Sequence, residues 1–302
     1  MRRTYASAVL CGRAARGTRC DARATRVIDQ RRAADRHPFG ARVTSGGVEI
    51  AGATLLLLVL AGFAAGWIDA VVGGGGLVQL PALLLVPGMS PVQALATNKL
   101  AGIMGTSVSA VTYYRRVGPD MSTALPTALA ALGGAAGGAA LASSLPEAVF
   151  RPVILVALVL VAVYTVARPS VGRSTALRWA GRRHTGAAAA IGAVIGFYDG
   201  LLGPGTGTFL VIALVGVLGF AFLEASAQAK IVNAATNLGA LAVFAVQGAP
   251  LWKLGLAVGV ANIAGAYLGA RMAVAKGSAF VRVVFVVVVG ALIVRLGWDV
   301  FA

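Results

Sequence analysis

Five ionisable side chains stand inside or at the edge of strongly apolar runs: Asp69, Lys99, Asp199, Glu224 and Lys230. A charge at the centre of a membrane helix costs about 2.5–3.5 kcal/mol on insertion scales, so such groups face a bundle interior or a water-filled path. Two lysines do not comfortably share a dry site. They share a wet one that holds an anion, because each ammonium offers three hydrogen bonds to sulfonate, sulfite or carboxylate oxygens. Thr97, Asn98, Thr106, Asn233, Asn237 and Gln228 supply uncharged donors nearby in sequence. Lys99, Gly102 and Thr106 fall near one face of a helix, and Lys230, Asn233 and Asn237 follow i, i+3, i+7 spacing. The same spacing serves ordinary packing through small residues, and a lysine near a helix end can snorkel to the interface. The amides beside both lysines favour a site, since snorkelling needs none.

Each aspartate precedes a glycine-rich stretch. "GWIDAVVGGGG" carries Asp69 and then Gly73, Gly74, Gly75 and Gly76; "GFYDGLLGPGTG" carries Asp199 and then Gly203, Gly205, Thr206 and Gly207. Such a stretch breaks a helix and presents backbone N–H groups at the start of the next half-helix, an end with partial positive charge that binds anions. Close helix packing through glycine is the competing reading. A nucleotide-binding loop is not supported, because no Lys-Ser/Thr follows "GPGTG" and no strand context precedes it. The aspartates have three open roles: capping loop N–H groups, pairing with the lysines, or carrying a coupling proton.

The two stretches align at an offset of 130 residues, and "ALATNKLAG" aligns with "ASAQAKIVN" at 131, placing Lys99 on Lys230. Aspartate, glycine turn and lysine thus recur in order, which marks an internal repeat. Broken helices at matching positions of two halves point to a transporter site near the bilayer midplane. The halves are not identical: "TNK" in one is "QAK" in the other, so a shared site is asymmetric.

The elements that must position these groups are helices in a bilayer. The chain has 302 residues, 58% hydrophobic and 12% charged, with mean hydropathy +0.85. A soluble domain carries about twice that charged fraction. Apolar runs near bilayer-spanning length recur from Val48 onward, without alternating strand patterns. The fold class is all-α: a polytopic helical membrane protein of two homologous repeats, about 8 spans and two short re-entrant or broken segments. Candidate helices cover 50–71, 76–88, 92–114, 122–143, 148–167, 187–202, 206–223, 226–247, 252–274 and 279–298. The expected organisation is a tail over 1–47, a first transmembrane repeat over 48–168, a cytoplasmic linker over 169–186 and a second repeat over 187–302.

The formal charge of +16 is not a nucleic-acid signature. Residues 1–47 hold eleven Arg and three Asp, and the rest of the excess lies in short loops, as on a cytoplasmic face. "RPSVGRSTALRWAGRRH" and Arg115–Arg116 mark that face. The tail is expected to lack a compact fold, with Val48 opening the first membrane run directly; a start codon placed too early is one reading and a basic lipid anchor another. A basic tail and a basic linker on one side require an even number of crossings, which makes the second segment re-entrant. A full span there makes the halves inverted repeats instead, and the charge count leans to the first option.

Cys11 and Cys20 lie in the tail, and His37 and His184 lie outside the apolar runs. No thiolate or histidine metal site, cofactor or haem is expected in the membrane part. No nucleophile–base set is present, so no enzyme is expected. The expected partners are a small anionic substrate and the lipid bilayer, with no nucleic acid; oligomeric state is open. A divalent-cation carrier using Asp69, Asp199 and Glu224 is one alternative, and a membrane scaffold without transport is another; a scaffold is expected to tolerate bulk at Gly75 or Gly205 where packing permits.

"GWIDAVVGGGGLVQLPALLL", "ATNKLAGIMGTSVSA", "IGFYDGLLGPGTGTFL", "KIVNAATNLGALAVF" and "LGARMAVAKGSAFVR" resemble the paired motifs of the sulfite exporter TauE/SafE family of permeases. The resemblance covers about 48–302. It implies a multi-pass transporter of the bacterial inner membrane that moves sulfite, sulfonates, sulfoacetate or related organic anions, often outward. By position it implicates Asp69, Gly73–Gly76, Asn98 and Lys99 in one half, and Asp199, Gly203–Gly207, Lys230, Asn233 and Asn237 in the other.

Overall fold

The computed structural model describes residues 42–45, 48–142, 144 and 175–301. A short antiparallel hairpin, β1 (Arg42–Ser45) and β2 (Val48–Ala51), pairs Arg42 with Ala51. The first membrane helix therefore begins after Val48, at Gly52. The helices are α1 (Gly52–Val72), α2 (Gly76–Leu84), α3 (Pro91–Val117), α4 (Met121–Ala142), α5 (Gly181–Leu201), α6 (Thr206–Ala213), α7 (Phe222–Val246) and α8 (Trp252–Phe301). The expected helix at 148–167 lies outside the described residues, as does the tail apart from Arg42–Ser45.

Segments Gly52–Val72, Met121–Ala142, Phe222–Val246 and Trp252–Val284 are long and apolar enough to cross a bilayer. The chain is a multi-pass membrane protein. Helices α3 and α5 run the same distance beside these but fall short in hydropathy, α3 because it carries the polar face with Lys99 and the Arg115–Arg116 end. Local signals set the ends of α3. Ser90 and Gln93 form a reciprocal capping box with Pro91 at the first helical position. Gly118 closes the helix in the left-handed region at φ 66°.

The later elements depart from the sequence expectation in two places and agree with it in a third. Helix α5 starts at Gly181 rather than 187, so "GRRHTG" is its first turn and not linker. Helix α6 ends at Ala213 and continues only as a π-turn over Leu214–Leu218, closed by Gly219 at φ 92°. Linker residues 176 and 178 donate to the carbonyls of Gly219 and Leu218, capping that end. Helix α8 is broken at Gly277 (φ 73°, ψ −170°), which agrees with two expected helices meeting there.

Glycines let the helices approach at backbone distance, as is usual without a hydrophobic driving force between them. Along α4 and α5, Thr127 meets Gly192, Ala131 meets Gly196 and Ala135 meets Gly200, in rising order on both chains, so the helices are parallel. By the same logic α8 is parallel to α1 (Val258 on Gly62, Asn262 on Gly66) and to α3 (Leu100 on Gly255, Met104 on Gly259). Short turns make α4 antiparallel to α3 and α8 antiparallel to α7. It follows that α1, α3 and α8 run one way while α4, α5 and α7 run the other. Each element of the first half thus opposes its counterpart of the second: α1 against α5, α3 against α7, α4 against α8.

This corrects the lean of the charge count. The N-terminus of α1 lies at the end of the bundle opposite Arg115, Arg116 and the start of α5. The short α2 returns the chain after α1, and α3 sets out again in the direction of α1. Pairs of packed helices also match under the offset: α4 on α5 with α8 on α1, and α7 on α4 with α3 on α8.

At the basic end, His184 Nε2 lies 2.7 Å from Thr123 Oγ1, which is 2.6 Å from Asp120 Oδ2, tying α5 to the start of α4. Partial burial works to raise the Asp120 pKa, but donors from Thr123 and Ser122 outweigh it and hold the carboxyl below its usual range.

Candidate functional site

Four of the five charges predicted at membrane depth meet crosswise. Lys99 on α3 pairs with Asp199 on α5 at 2.6 Å, and Lys230 on α7 pairs with Asp69 on α1 at 3.1 Å. Each lysine takes the aspartate of the other half. Lys99, Lys230 and Asp199 are essentially fully buried, and the Asp69 side chain retains 13% exposure. Lys230 also donates to the Asp69 backbone carbonyl, and Asn233 Nδ2 lies 3.5 Å from Asp69 Oδ1. Thr206 donates toward Asp199 Oδ1 and sits 2.8 Å from the Gly203 carbonyl. Both aspartates are therefore paired with lysines, and Asp199 is also tied to its own loop through Thr206.

The pairs flank the crossing of α3 and α7. There Asn237 Nδ2 donates to Thr106 Oγ1 at 3.4 Å. These two residues are counterparts in the register that matches Lys99 to Lys230. Because α3 and α7 run oppositely, the two ion pairs lie on opposite sides of this crossing.

The glycine loops touch each other. Gly73 and Gly203 hold φ of 85° and 87°, a region that favours glycine, and so turn the chain directly after α1 and α5. Gly207 packs on Gly73 so closely that a methyl on Gly207 falls 2.5 Å from Gly73 Cα. Thr208 N and Oγ1 donate to the carbonyls of Gly73 and Val72, at 3.1 and 3.2 Å, stitching α6 to the end of α1.

Between loops and helices lies a cavity of about 30 Å³, room for roughly two waters at ~10–15 Å³ each. Its lining includes Asp69, Gly73, Gly75, Gly76, Asn98, Lys99, Asp199, Gly203, Gly205, Thr206, Gly207, Asn233 and Asn237. The first turns of α2 and α6 thus both face it, from opposite halves.

Five sequence-predicted residues are elsewhere. Lys230 lies behind Asp69 and does not line the cavity. Thr97 accepts from the Leu251 backbone N–H at 3.1 Å, anchoring the turn into α8. Gly74 is outside the lining, and so is the buried amide of Gln228. Glu224 is at the start of α7, bound to Thr175 of the linker, away from both aspartates. Gly75 has no room for a side chain, since a methyl there meets the Ala65 carbonyl oxygen at 2.5 Å; bulk at this position reports packing rather than transport.

Two lining residues were missed from sequence: Gln79 on α2 and Asn262 on α8. Asn262 Nδ2 donates to Gln79 Oε1 at 2.8 Å, both side chains are buried, and Gln79 Nε2 has no partner among the described residues. The signal was present as single amides inside the apolar "LVQLPAL" and "GVANIAG". Neither has a polar counterpart in the other half, so the repeat did not flag them. With the ion pairs formed, the four charges sum to zero, and the cavity offers polar groups rather than net charge.

A family model described as sulfite exporter TauE/SafE matches residues 58–296. A probable membrane transporter protein, ORF9, of Sinorhizobium is 38% identical over 248 residues, covering 80% of this chain and 92% of the relative. A probable membrane transporter protein of Haemophilus influenzae is 33% identical, over 81% of this chain and 95% of its own length. The probable membrane transporter YfcA of Escherichia coli is 34% identical, over 78% and 86%. No solved structure matches the chain.

Proposed function

Given that the chain belongs to the sulfite exporter TauE/SafE family of membrane transporters, we propose that it is a secondary transporter that exports small sulfur-containing or organic anions, such as sulfite, a sulfonate or sulfoacetate, across the bacterial inner membrane. The observation that carries this reading is the crosswise Lys–Asp pairing around a cavity lined with amide, hydroxyl and loop N–H donors. The organisation is two inverted repeats, which the opposed directions of matched helices support.

In this reading the cavity is in a constricted state, with room for about two waters. An entering anion competes with Asp199 for the Lys99 ammonium. Displacing a carboxylate into a buried site leaves two negative charges near one positive, which is costly unless the carboxylate takes a proton. Anion and proton therefore bind together at Lys99 and Asp199. Asn98, Asn233, Asn237 and Gln79 Nε2 orient the oxyanion, and the N-terminal turns of α2 and α6 present backbone donors. Lys230 acts behind the cavity, holding Asp69 and the end of α1. Rocking of the halves about the α3–α7 crossing exposes the cavity to each side in turn.

The test is flux from proteoliposomes with a panel of sulfite, a short alkylsulfonate, sulfoacetate, acetate, and nickel or cobalt ions. Saturable flux of at least one sulfur oxyanion, and none of the metals, is expected. Metal flux without anion flux sinks the proposal and favours the divalent-cation reading. That reading is weakened by the lysine on each aspartate and by Glu224 lying outside the cavity. A scaffold without transport predicts no flux of any member.

A further inference from the structure

We propose that the basic end of the groove between α3 and α8 is a binding site for the headgroup of an anionic phospholipid of the cytoplasmic leaflet. The groove has a volume of about 440 Å³. Arg115 and Arg116 enter it from the last turn of α3, and Arg271 from α8. Arg271 lies 5.3 Å from the centre of the Tyr267 ring and donates to its hydroxyl at 3.1 Å. That stacking fixes the plane of a guanidinium, the group best suited to a phosphate diester. Among the described residues no carboxylate pairs with any of these three arginines.

The fold supplies an internal control. Between α4 and α7, at the opposite end of the bundle, lies a hollow of about 430 Å³ formed by the same crossing. In the register that matches Lys99 to Lys230, Arg115 becomes Val246, Arg116 becomes Gln247, Tyr267 becomes Ala136 and Arg271 becomes Ala140. The crossing geometry alone therefore produces a hollow, and the three guanidiniums are an addition to one copy. That copy lies at the end carrying the other basic loops, which faces the cytoplasm.

The chemistry of the walls selects a lipid over a soluble anion. Below the arginines the groove is lined by Val108 and Val111, and Val111 and Tyr267 are exposed on the bundle's outer surface. An acyl chain covers that apolar wall while its phosphate meets the arginines. Free phosphate satisfies the arginines but leaves the wall bare. Basic pockets between membrane helices on this side are suited to anionic headgroups.

Native mass spectrometry of the purified full chain, exchanged with phosphatidylglycerol or phosphatidylcholine of equal chain length, tests this. The wild type should retain phosphatidylglycerol at least about tenfold better, since each basic residue near the headgroup adds to the attraction. The triple variant Arg115→Gln/Arg116→Gln/Arg271→Gln should bring the ratio near one. Arg271→Lys should keep part of the preference, as charge stays but the fork is lost. Millimolar inorganic phosphate should not displace the lipid. Equal retention of the two lipids by the wild type, a preference that survives the triple variant, or displacement by phosphate overturns the proposal. The unfolding temperature of the triple variant is read alongside, and a preference lost only in an unfolded sample counts against it.

Discussion

Lys99→Gln should destabilise the protein by about 3–5 kcal/mol, because it leaves Asp199 buried without its counter-ion. Asp199→Asn should cost a similar amount by stranding the ammonium. The pair is 1% and 2% exposed, so solvent does little to soften either loss. The double variant Lys99→Gln/Asp199→Asn should recover most of that stability, since two neutral amide groups fill the space and can bond each other. It should not recover transport. Thermal unfolding in detergent reads the first effect, and anion flux from proteoliposomes reads the second. A double variant that is stable and silent separates the fold's need for a neutral pair from the substrate's need for a cation. A double variant with wild-type flux removes Lys99 from the substrate site. An unrecovered double variant means that the pair does more than neutralise itself.

A single methyl at the contact of the two loops should have the other large effect. In Gly207→Ala the new carbon lands 2.5 Å from Gly73 Cα and 2.6 Å from its carbonyl oxygen, both of them backbone. Overpacking of this kind costs about 1–3 kcal/mol. The loops must separate, and the Thr208 bonds to Gly73 and Val72 must stretch with them. Flux should fall by more than the stability loss explains, because these loops form the cavity wall. Gly133→Ala is the matched control: nothing lies within 4 Å of the added carbon in α4, and the change should be neutral or stabilising by up to about 1 kcal/mol. Wild-type flux in folded Gly207→Ala contradicts a closely registered loop pair.

The parts of the site legible in the sequence were those that violate the membrane's preferences. Asp69, Asp199, both lysines and the two glycine stretches stand out against apolar runs, and their recurrence made an accident improbable. What the spacing within each half does not contain is the identity of a partner. Thirty residues from aspartate to lysine is compatible with pairing inside one half or across halves. Only the helix directions decide, and the charge count leaned to the other arrangement. Crosswise pairing then moved Lys230 out of the cavity, where its spacing had suggested a substrate contact. Gln79 and Asn262 were overlooked for the opposite reason, being polar without a repeat partner. The end of α6 was unreadable because Leu214–Leu218 is as apolar as an α-helix, and its π-turn is set by Gly219 and the docked linker.

In the proposed cycle an anion takes the place of Asp199 on Lys99 while Asp199 takes a proton. Proteoliposomes loaded with a pH-sensitive dye and given an outward gradient of a transported sulfur oxyanion follow that exchange. Protons should leave the lumen with the anion, so that the lumen becomes more alkaline, and Asp199→Asn should abolish that proton movement whatever flux remains. Anion efflux at full rate with no pH change, or proton movement that survives Asp199→Asn, would contradict the account.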